Sequence, residues 1–268
     1  MASMNVEPKL AISGVSKSYK TRSGVTPALN NFGLSVAKGE FVSIVGPSGC
    51  GKSTLLWSTA GLHSLDRGQI LLDGEPITRP HPQVAMVFQE ANLLPWQSLM
   101  KNVELPLRLQ KAEPGPTRER IRGLLTRVGL QGFEDRFPRE LSGGMQQRAS
   151  IVRALSTNPS VLLMDEPFSA LDPFTREDMA LLLEEIWLET RKTVLFITHS
   201  ISEAVFLSDR VVVMSGRPGQ VRRIFDIDIP RPRPLSVMEE HGFIDIVAEI
   251  KAAIGRGTAA VHRVAEKA

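Results

Sequence analysis

A phosphate-binding motif near the amino-terminal end of the chain carries the clearest chemistry. Its residues Gly46-Pro47-Ser48-Gly49-Cys50-Gly51-Lys52-Ser53 match the pattern G-x-x-x-x-G-K-[ST]. The glycines let successive backbone N–H groups turn inward around a phosphate, and the helix expected after them adds the positive end of its dipole. Lys52 would reach the β- and γ-phosphates, and the Ser53 hydroxyl would bind Mg²⁺. Because an apolar strand is expected at 41–45, directly before the motif, a Gly-rich turn without a ligand is the weaker interpretation.

Two adjacent carboxylates end a second apolar strand, expected at 161–164. Neighbouring strand residues point to opposite faces, so Asp165 and Glu166 are expected to have different tasks. Asp165 would hold the Mg²⁺ shell, and Glu166 would polarise the attacking water as a general base. A solvated acidic turn is the alternative, which the phosphate motif earlier in the chain disfavours.

A second Gly-rich helix start is expected at Leu141-Ser142-Gly143-Gly144-Met145-Gln146-Gln147-Arg148, with the helix running to about Leu155. Ser142 is suited to the N-cap, and an uncovered helix start with a hydroxyl attracts anions. The first motif already serves the phosphates of the same chain. The second would therefore meet a nucleotide held by another copy, unless it is only an ordinary helix cap.

The pattern of apolar residues predicts alternating strands and helices, which favours a mostly parallel sheet covered on both faces. We expect strands at 10–15, 32–36, 41–45, 69–72, 84–88, 161–164, 193–197 and 211–214. We expect helices at 118–128, 173–189 and 202–207, within and after a helical insertion that starts near Ala91. A loop is expected around 21–26.

The carboxyl-terminal part is expected to form a stiff linker and one further helix. Pro230-Arg231-Pro232-Arg233-Pro234 has the composition of the linker. Ser236 and Glu239 would form a capping box. The tail helix would pack on the domain through one apolar face, made of Phe243, Val247, Ile250 and Ile254.

Length and composition are those of an ordinary globular protein. The 268 residues are 42% hydrophobic and 23% charged, which argues against disorder. A formal charge of +3 would suit a nucleotide, an anionic membrane surface or a nucleic acid, but a slightly basic solvated surface is the simpler explanation. With Cys50 as the only cysteine, no intramolecular disulfide or multi-cysteine zinc site can form. No apolar run is long enough to cross a bilayer, so we expect a soluble chain that reaches the membrane through a partner.

Taken together, the motifs resemble those of the ATP-binding-cassette (ABC) transporter ATPases, over nearly all of residues 8–225. The phosphate loop, the signature that begins at Leu141 and the acidic strand stand in the family's order. Shorter elements match as well: Tyr19 as the ring that stacks on adenine, Gln89 as a sensor of Mg²⁺ and water, Ser169-Ala170-Leu171-Asp172 as the loop crossing the dimer interface, and His199 as the switch that contacts the γ-phosphate. Met145 and Ser200 depart from the commonest pattern, but neither change removes a phosphate-contacting group.

The resemblance implies an α/β fold of the P-loop NTPase class, with a RecA-like core, an antiparallel β subdomain and a helical insertion that bears the signature. The expected organisation is a disordered amino terminus over 1–7, the ATPase domain over 8–229 with its helical subdomain at about 91–155, and the linker and tail helix over 230–268.

The family's mechanism implies two copies paired head to tail, each ATP lying between the phosphate loop of one copy and the signature of the other. The catalytic residues would be Lys52, Gln89, Glu166 and His199, and the Mg²⁺ contacts Ser53, Gln89 and Asp165. Nucleotide contacts would come from Tyr19, Gly46, Pro47, Ser48, Gly49, Cys50, Gly51, Lys52, Ser53 and Thr54, and in trans from Ser142, Gly143, Gly144 and Gln146.

Partners and location follow from the same resemblance. The segment Glu90-Ala91-Asn92-Leu93-Leu94-Pro95-Trp96, with Ser215-Gly216-Arg217-Pro218-Gly219 and the Pro/Arg run, is similar to the ATPases of nitrate, sulfonate and taurine importers. That implies permease subunits, an extracytoplasmic solute-binding protein and a peripheral position on the cytoplasmic face of the inner membrane. The Trp96 segment would be either a docking groove for the permease or part of a buried core. An exporter or lipid-trafficking ATPase is the alternative. A DNA-maintenance ATPase, and with it a nucleic-acid partner, is disfavoured because the insertion lacks zinc-binding cysteines and length for a coiled coil.

Overall fold

Two sheets and a group of short helices form the framework in a computed structural model of the chain, which describes residues 7–21, 24–112 and 115–255. The strands are β1 Leu10–Thr21, β2 Gly24–Val36, β3 Phe41–Val45, β4 Arg67–Leu72, β5 Glu75–Pro76, β6 Val84–Val87, β7 Val161–Asp165, β8 Thr193–Ile197, β9 Arg210–Met214 and β10 Val221–Asp226. The helices are α1 Lys52–Thr59, α2 Leu99–Val103, α3 Leu105–Leu109, α4 Gly115–Arg127, α5 Gly143–Leu155, α6 Pro173–Thr190, α7 Ile201–Leu207 and α8 His241–Gly255. In these described ranges no helix has both the length and the apolar character needed to cross a bilayer.

The central sheet has the strand order β10-β9-β3-β8-β7-β6, parallel except for β10. Every residue of β3, β7 and β8 is buried, as expected for strands covered on both faces. Along β7, Val161 and Leu163 face a core shared with α1 and the second sheet, whereas Leu162 and Met164 face a core shared with α6 and α7. The predicted parallel, doubly covered sheet is confirmed.

The second sheet is antiparallel, in the order β2-β1-β4-β5. Its hairpin corrects the prediction of a loop around 21–26, because β1 and β2 stay paired as far as Thr21 and Gly24. Several side chains at this end are exposed or half-buried, so backbone pairing continues where the apolar pattern has ended. Register shifts between Ile12 and Val15 further blur the alternation that identifies a strand in sequence.

The helical insertion has a small core of its own. From 99 to 155 the described residues contain α2 to α5 and no strand, as predicted. Leu99, Val103, Ile121, Leu125 and Val152 are buried together in a cluster separate from the two cores of the central sheet. The signature helix α5 belongs to both groups, since Ile151 and Leu155 pack into the core with α6. One rigid helix therefore links the insertion to the central sheet.

The carboxyl-terminal segment differs from its prediction. Ser236 and Glu239 lie in a short 3₁₀ helix, Leu235–Glu239, and α8 begins only at His241, so the proposed capping box is wrong. The apolar face is confirmed: Phe243 and Ile250 are buried, and Val247 and Ile254 pack beside them against the main core. Residues 1–6 of the predicted disordered amino terminus lie outside the described residues, as does the chain after Gly255.

The Pro/Arg segment, predicted as a stiff linker, is instead packed into the domain. Arg233 is only 2% exposed, and its Nη1 donates to the carbonyl oxygens of Val205, Phe206 and Ser208 at 2.9, 2.7 and 2.9 Å. These carbonyls stand at the end of α7, where the negative end of the helix dipole favours a cation. Burial lowers the pKa of Arg233 to about 10, so the side chain remains charged at neutral pH. The cost of burying a charge is offset by these bonds, which composition alone did not reveal.

Neighbouring Arg231 strengthens the same attachment. It donates to Glu184 Oε1 at 2.9 Å and lies with its guanidinium carbon 4.3 Å from the centre of the Trp187 ring. The other carboxylate oxygen of Glu184 accepts from the backbone N–H of Arg233 at 3.0 Å. The segment is thus fixed to α6 as well as to α7.

Replacing Arg233 by Met should lower the free energy of unfolding by about 3 kcal/mol, because a methionine fills similar space but leaves the α7 carbonyls without a donor. Urea unfolding of the whole chain measures the change. Arg222→Met, an exposed position on β10, is the matched control and should unfold like the parent. Equal unfolding midpoints for both variants would contradict a stabilising role for the buried guanidinium.

Candidate nucleotide site

The phosphate loop joins β3 to α1, and two of its glycines adopt backbone conformations that other residues rarely reach. Gly49 has φ +73° and Gly51 φ +103°. A Cβ on Gly51 would also lie 2.6 Å from the carbonyl oxygen of Ala28. The loop therefore requires glycine here both for its curvature and for its close packing against β2.

Lys52 lies inside the loop that precedes it. Its side chain is 5% exposed, and its Nζ donates to the carbonyl oxygens of Gly46 at 2.9 Å and Pro47 at 3.1 Å. Cys50 is also buried; burial raises the pKa of its thiol. Gly46, Pro47 and Cys50 shape the loop through their backbones and do not line the cavity described below.

Oxygen ligands converge where α1 meets the end of β7. Ser53 Oγ donates to Asp165 Oδ1 at 3.1 Å. Burial raises the pKa of Asp165, opposed by this hydrogen bond. A hydroxyl and a carboxylate are the hard oxygen donors that Mg²⁺ prefers, and Mg²⁺ usually takes few protein ligands alongside water and phosphate oxygens. The pair therefore fits the predicted metal contacts.

Glu166 directly follows β7 and pairs with His199. Its Oε1 lies 2.5 Å from Nε2 of His199, which follows β8. Its backbone N–H donates to Ile197 O at 2.8 Å, and its φ of +48° is in the left-handed region, uncommon for a residue with a side chain. Such conformations cluster at functional sites, and this one aims the carboxylate at the histidine.

A cavity of about 310 Å³ connects these groups. Two of its lining residues, Ala28 and Arg217, were not predicted as site residues. The methyl group of Ala28 carries no chemistry that would identify a site residue. A lone arginine in a loop is typical of a solvated surface, and only the position of the loop in the fold shows that Arg217 lines the cavity. The predicted residues that line the cavity are Tyr19, Ser48, Gly49, Gly51, Lys52, Ser53, Thr54, Glu166 and His199.

Tyr19 enters the cavity from β1. Its hydroxyl lies 2.9 Å from Nδ1 of His63 and 3.3 Å from Oγ1 of Thr54, which fixes the ring beside α1. His63 also packs edge-on against Tyr19. This support was not predictable, since a single histidine after a helix has many possible uses.

The signature residues and Gln89 do not line this cavity. Ser142 is the N-cap of α5, its Oγ accepting from Met145 N at 3.2 Å, and both Ser142 and Gly143 are exposed. Gln146 is turned back on its own loop, donating to Pro138 O and Leu141 O at 3.0 and 3.2 Å. Gln89 is exposed just after β6.

A buried carboxylate joins the predicted interface loop to the histidine segment. Glu203 accepts from Thr198 Oγ1 at 2.6 Å and lies 3.4 Å from Nε of Arg176. Arg176 also donates to Leu171 O at 3.0 Å, in the loop before α6. Burial raises the pKa of Glu203, opposed by Thr198 and Arg176. The sequence pattern did not distinguish Glu203 from a solvated helical glutamate.

Comparison with known proteins agrees with this geometry. A family model described as ABC transporter matches residues 29–169. An uncharacterised ABC transporter ATP-binding protein of Methanocaldococcus jannaschii is 44% identical over 86% of this chain and 86% of its own. The aliphatic sulfonates import ATP-binding protein SsuB of Bacillus cereus is 42% identical over 84% of this chain and 88% of its own.

A solved structure of similar shape holds the products of ATP hydrolysis. It is a dimeric ATP-binding cassette in a post-hydrolysis state with ADP and Pi bound, 34% identical, with a TM-score of 0.73 over 82% of this chain and 100% of the other. In this chain the phosphate loop, Glu166 and His199 line one cavity. The chain belongs to the ABC transporter family, as an ATP-binding subunit that hydrolyses ATP in transport.

Proposed function

We propose that two copies of this chain pair head to tail and enclose two ATP molecules, each between the phosphate loop of one copy and the signature of the other. One observation carries the proposal: the predicted phosphate contacts divide into two groups. Lys52 and Ser53 line the cavity, whereas Ser142 and Gly143 lie exposed at a helix start that does not line it. A second copy would complete the site by supplying the missing half. The dimeric form of the ADP-bound relative supports this arrangement.

Within each site, the residues of this chain divide the work by position. Lys52 would move from its loop carbonyls to the phosphate oxygens, which are stronger partners for a buried ammonium. Ser53 and Asp165 would hold Mg²⁺, which would neutralise developing charge on the phosphates. Glu166 would take the proton of the attacking water, and His199 would orient that carboxylate and contact the γ-phosphate. Gln89 would complete the metal and water contacts, and Tyr19 would stack on the adenine.

The difference between ATP and ADP would drive the motion. ATP would contact both copies, whereas ADP lacks the γ-phosphate that reaches the second copy. ATP binding would thus favour the closed dimer and hydrolysis the open one. Arg176 and Glu203 would couple movement of the interface loop to the histidine segment. Arg176 bonds to Leu171 of the loop, Glu203 bonds to Thr198 beside His199, and the two side chains form an ion pair.

The membrane partner proposed is the permease of an importer for sulfonate-type solutes, with an extracytoplasmic solute-binding protein delivering the cargo. The 42% identity to an aliphatic sulfonates import protein supports this solute class; nitrate and taurine are the related candidates. The chain would then lie peripherally on the cytoplasmic face of the inner membrane. Among the contacts of the described residues, none favours the exporter or lipid-trafficking alternative.

The segment from Glu90 to Trp96 has the properties of the docking site for that permease. Its backbone is held in place: Leu94 bonds to the side chain of buried Asn102, and the carbonyls of Ala91 and Asn92 accept from Arg153. Nevertheless Trp96 is 70% exposed, so the alternative of a buried core is wrong for this side chain. A large apolar ring presented on a fixed loop suits a helix of a protein partner.

Glu166→Gln should bind ATP, lose hydrolysis by about 100-fold or more and accumulate as a dimer, because the amide keeps the shape but cannot accept the water's proton. Light scattering in excess MgATP measures the molar mass of the protein, and phosphate release measures the rate of ATP hydrolysis. The double variant Lys52→Ala, Glu166→Gln serves as the control and should stay monomeric. A Glu166→Gln protein that remains monomeric at saturating MgATP would contradict the proposed sandwich.

Trp96→Ala should uncouple transport from hydrolysis, because the ring is proposed to contact the permease and not the nucleotide. With the permease and binding protein in proteoliposomes, sulfonate uptake should fall several-fold while ATP affinity stays unchanged. Leu109→Ala, an equally exposed apolar residue of α3, is the matched control. Parallel loss of nucleotide affinity and uptake would point to a structural role for Trp96. The same vesicles, challenged with nitrate, taurine and alkanesulfonates, identify the cargo.

A further inference from the structure

The loop between β9 and β10 is fixed against the nucleotide cavity, although the proposed function assigns it no task. It contains Ser215-Gly216-Arg217-Pro218-Gly219. The backbone N–H of Gly219 donates to Ala28 O at 2.8 Å, and its carbonyl accepts from Asn30 N at 3.1 Å. Ser215 Oγ accepts from Gln220 N at 3.0 Å and donates to Pro218 O at 3.2 Å. The loop is therefore attached to β2 and braced internally.

The loop also touches the phosphate loop directly. A Cβ on Gly219 would lie 2.2 Å from the carbonyl oxygen of Cys50, a contact that no side chain could relieve because the obstacle is backbone. The glycine thus allows the β9–β10 loop to rest on the phosphate loop itself. Its position relative to the nucleotide site is set by packing on two sides.

Arg217 lies at the end of the cavity where Tyr19 stands. Its Nε donates to Pro27 O at 3.2 Å, and Pro27 pairs with Ser18, the neighbour of Tyr19, in the β1–β2 ladder. Both side chains line the cavity. Among the hydrogen bonds of the described residues, none uses the terminal nitrogens Nη1 and Nη2 of Arg217, so these two nitrogens remain free for a ligand.

We infer that Arg217 is a second recognition residue for the nucleoside half of ATP, placing its guanidinium against the base and ribose while Tyr19 provides the stacking ring. The inference rests on the proposed nucleotide site. A guanidinium stacks on aromatic faces and donates hydrogen bonds to hydroxyl groups, and a base and a ribose offer both partners. The triphosphate is served by Lys52 and Ser53. Arg217 would therefore set affinity for the nucleoside, independently of the phosphate chain.

Competition against a fluorescent ATP analogue tests the inference, with two unlabelled probes: ATP and inorganic tripolyphosphate, which lacks the nucleoside. Arg217→Ala should weaken the affinity for ATP by about 2- to 30-fold and leave the affinity for tripolyphosphate unchanged. Arg217→Lys should show an intermediate loss for ATP, because charge remains but the planar group is gone. Arg222→Ala, which removes an exposed arginine outside this cavity, should leave both probes unchanged.

The remaining outcomes separate this inference from the proposed site. An equal loss of affinity for ATP and tripolyphosphate in Arg217→Ala would overturn the inference, since Arg217 would then contact the phosphates. Unchanged ATP affinity in Arg217→Ala, with both probes weakened in Lys52→Ala, would overturn it while supporting the phosphate site. If Lys52→Ala weakened neither probe, the proposed site itself would be wrong. Thermal unfolding of each variant shows whether a loss reflects misfolding.

Discussion

A buried ammonium group whose closest partners are two carbonyl oxygens is the interaction on which the rest of the structure depends. Lys52 is almost fully buried, and the described residues place no carboxylate within ion-pair distance of it. Burying an uncompensated charge is costly, so the loop holds a cation that a phosphate would stabilise. The turn at Gly51, in a conformation that favours glycine, and the packing of β2 against it maintain that arrangement. The phosphate loop thus holds a buried positive charge that the negative charge of a phosphate would compensate.

The central sheet explains why the other groups meet this cation. Strands β3, β8 and β7 are parallel neighbours, so the residues that follow them come out at one edge. The phosphate loop follows β3, His199 follows β8, Asp165 ends β7 and Glu166 follows it. Contacts elsewhere in the chain stabilise this edge. Glu203 bonds both to Thr198, next to His199, and to Arg176 of α6, and Arg233 donates to carbonyl oxygens at the carboxyl-terminal end of α7. The signature helix α5, by contrast, starts with exposed residues that do not line the cavity, so the proposed site would need a second copy to be complete.

Much of this was predictable because the decisive signals are local. The phosphate motif, the buried strand before Asp165 and the Ser142 cap each arise from neighbouring residues whose chemistry and backbone needs are linked. The contributions of Arg217, Glu203 and Arg233 were not predictable, since each depends on carbonyls or side chains far away in the chain. The Pro/Arg segment is the clearest case: its composition is typical of a linker, and only the α7 carbonyls make it an anchor. The outer half of the β1–β2 hairpin was missed because many of its side chains are exposed or half-buried and give no apolar alternation.

The proposed sharing of each ATP between two copies is tested most directly by mixing two inactive variants. Lys52→Ala disables the loop; Ser142→Asp keeps an N-cap but sets a negative charge against the γ-phosphate. Each variant alone should be inactive. In a mixed dimer, one site carries both defects and the other carries none, so ATP hydrolysis in an equal mixture should recover to about a quarter of the parent rate. A mixture no more active than its two components would contradict a site built from two chains.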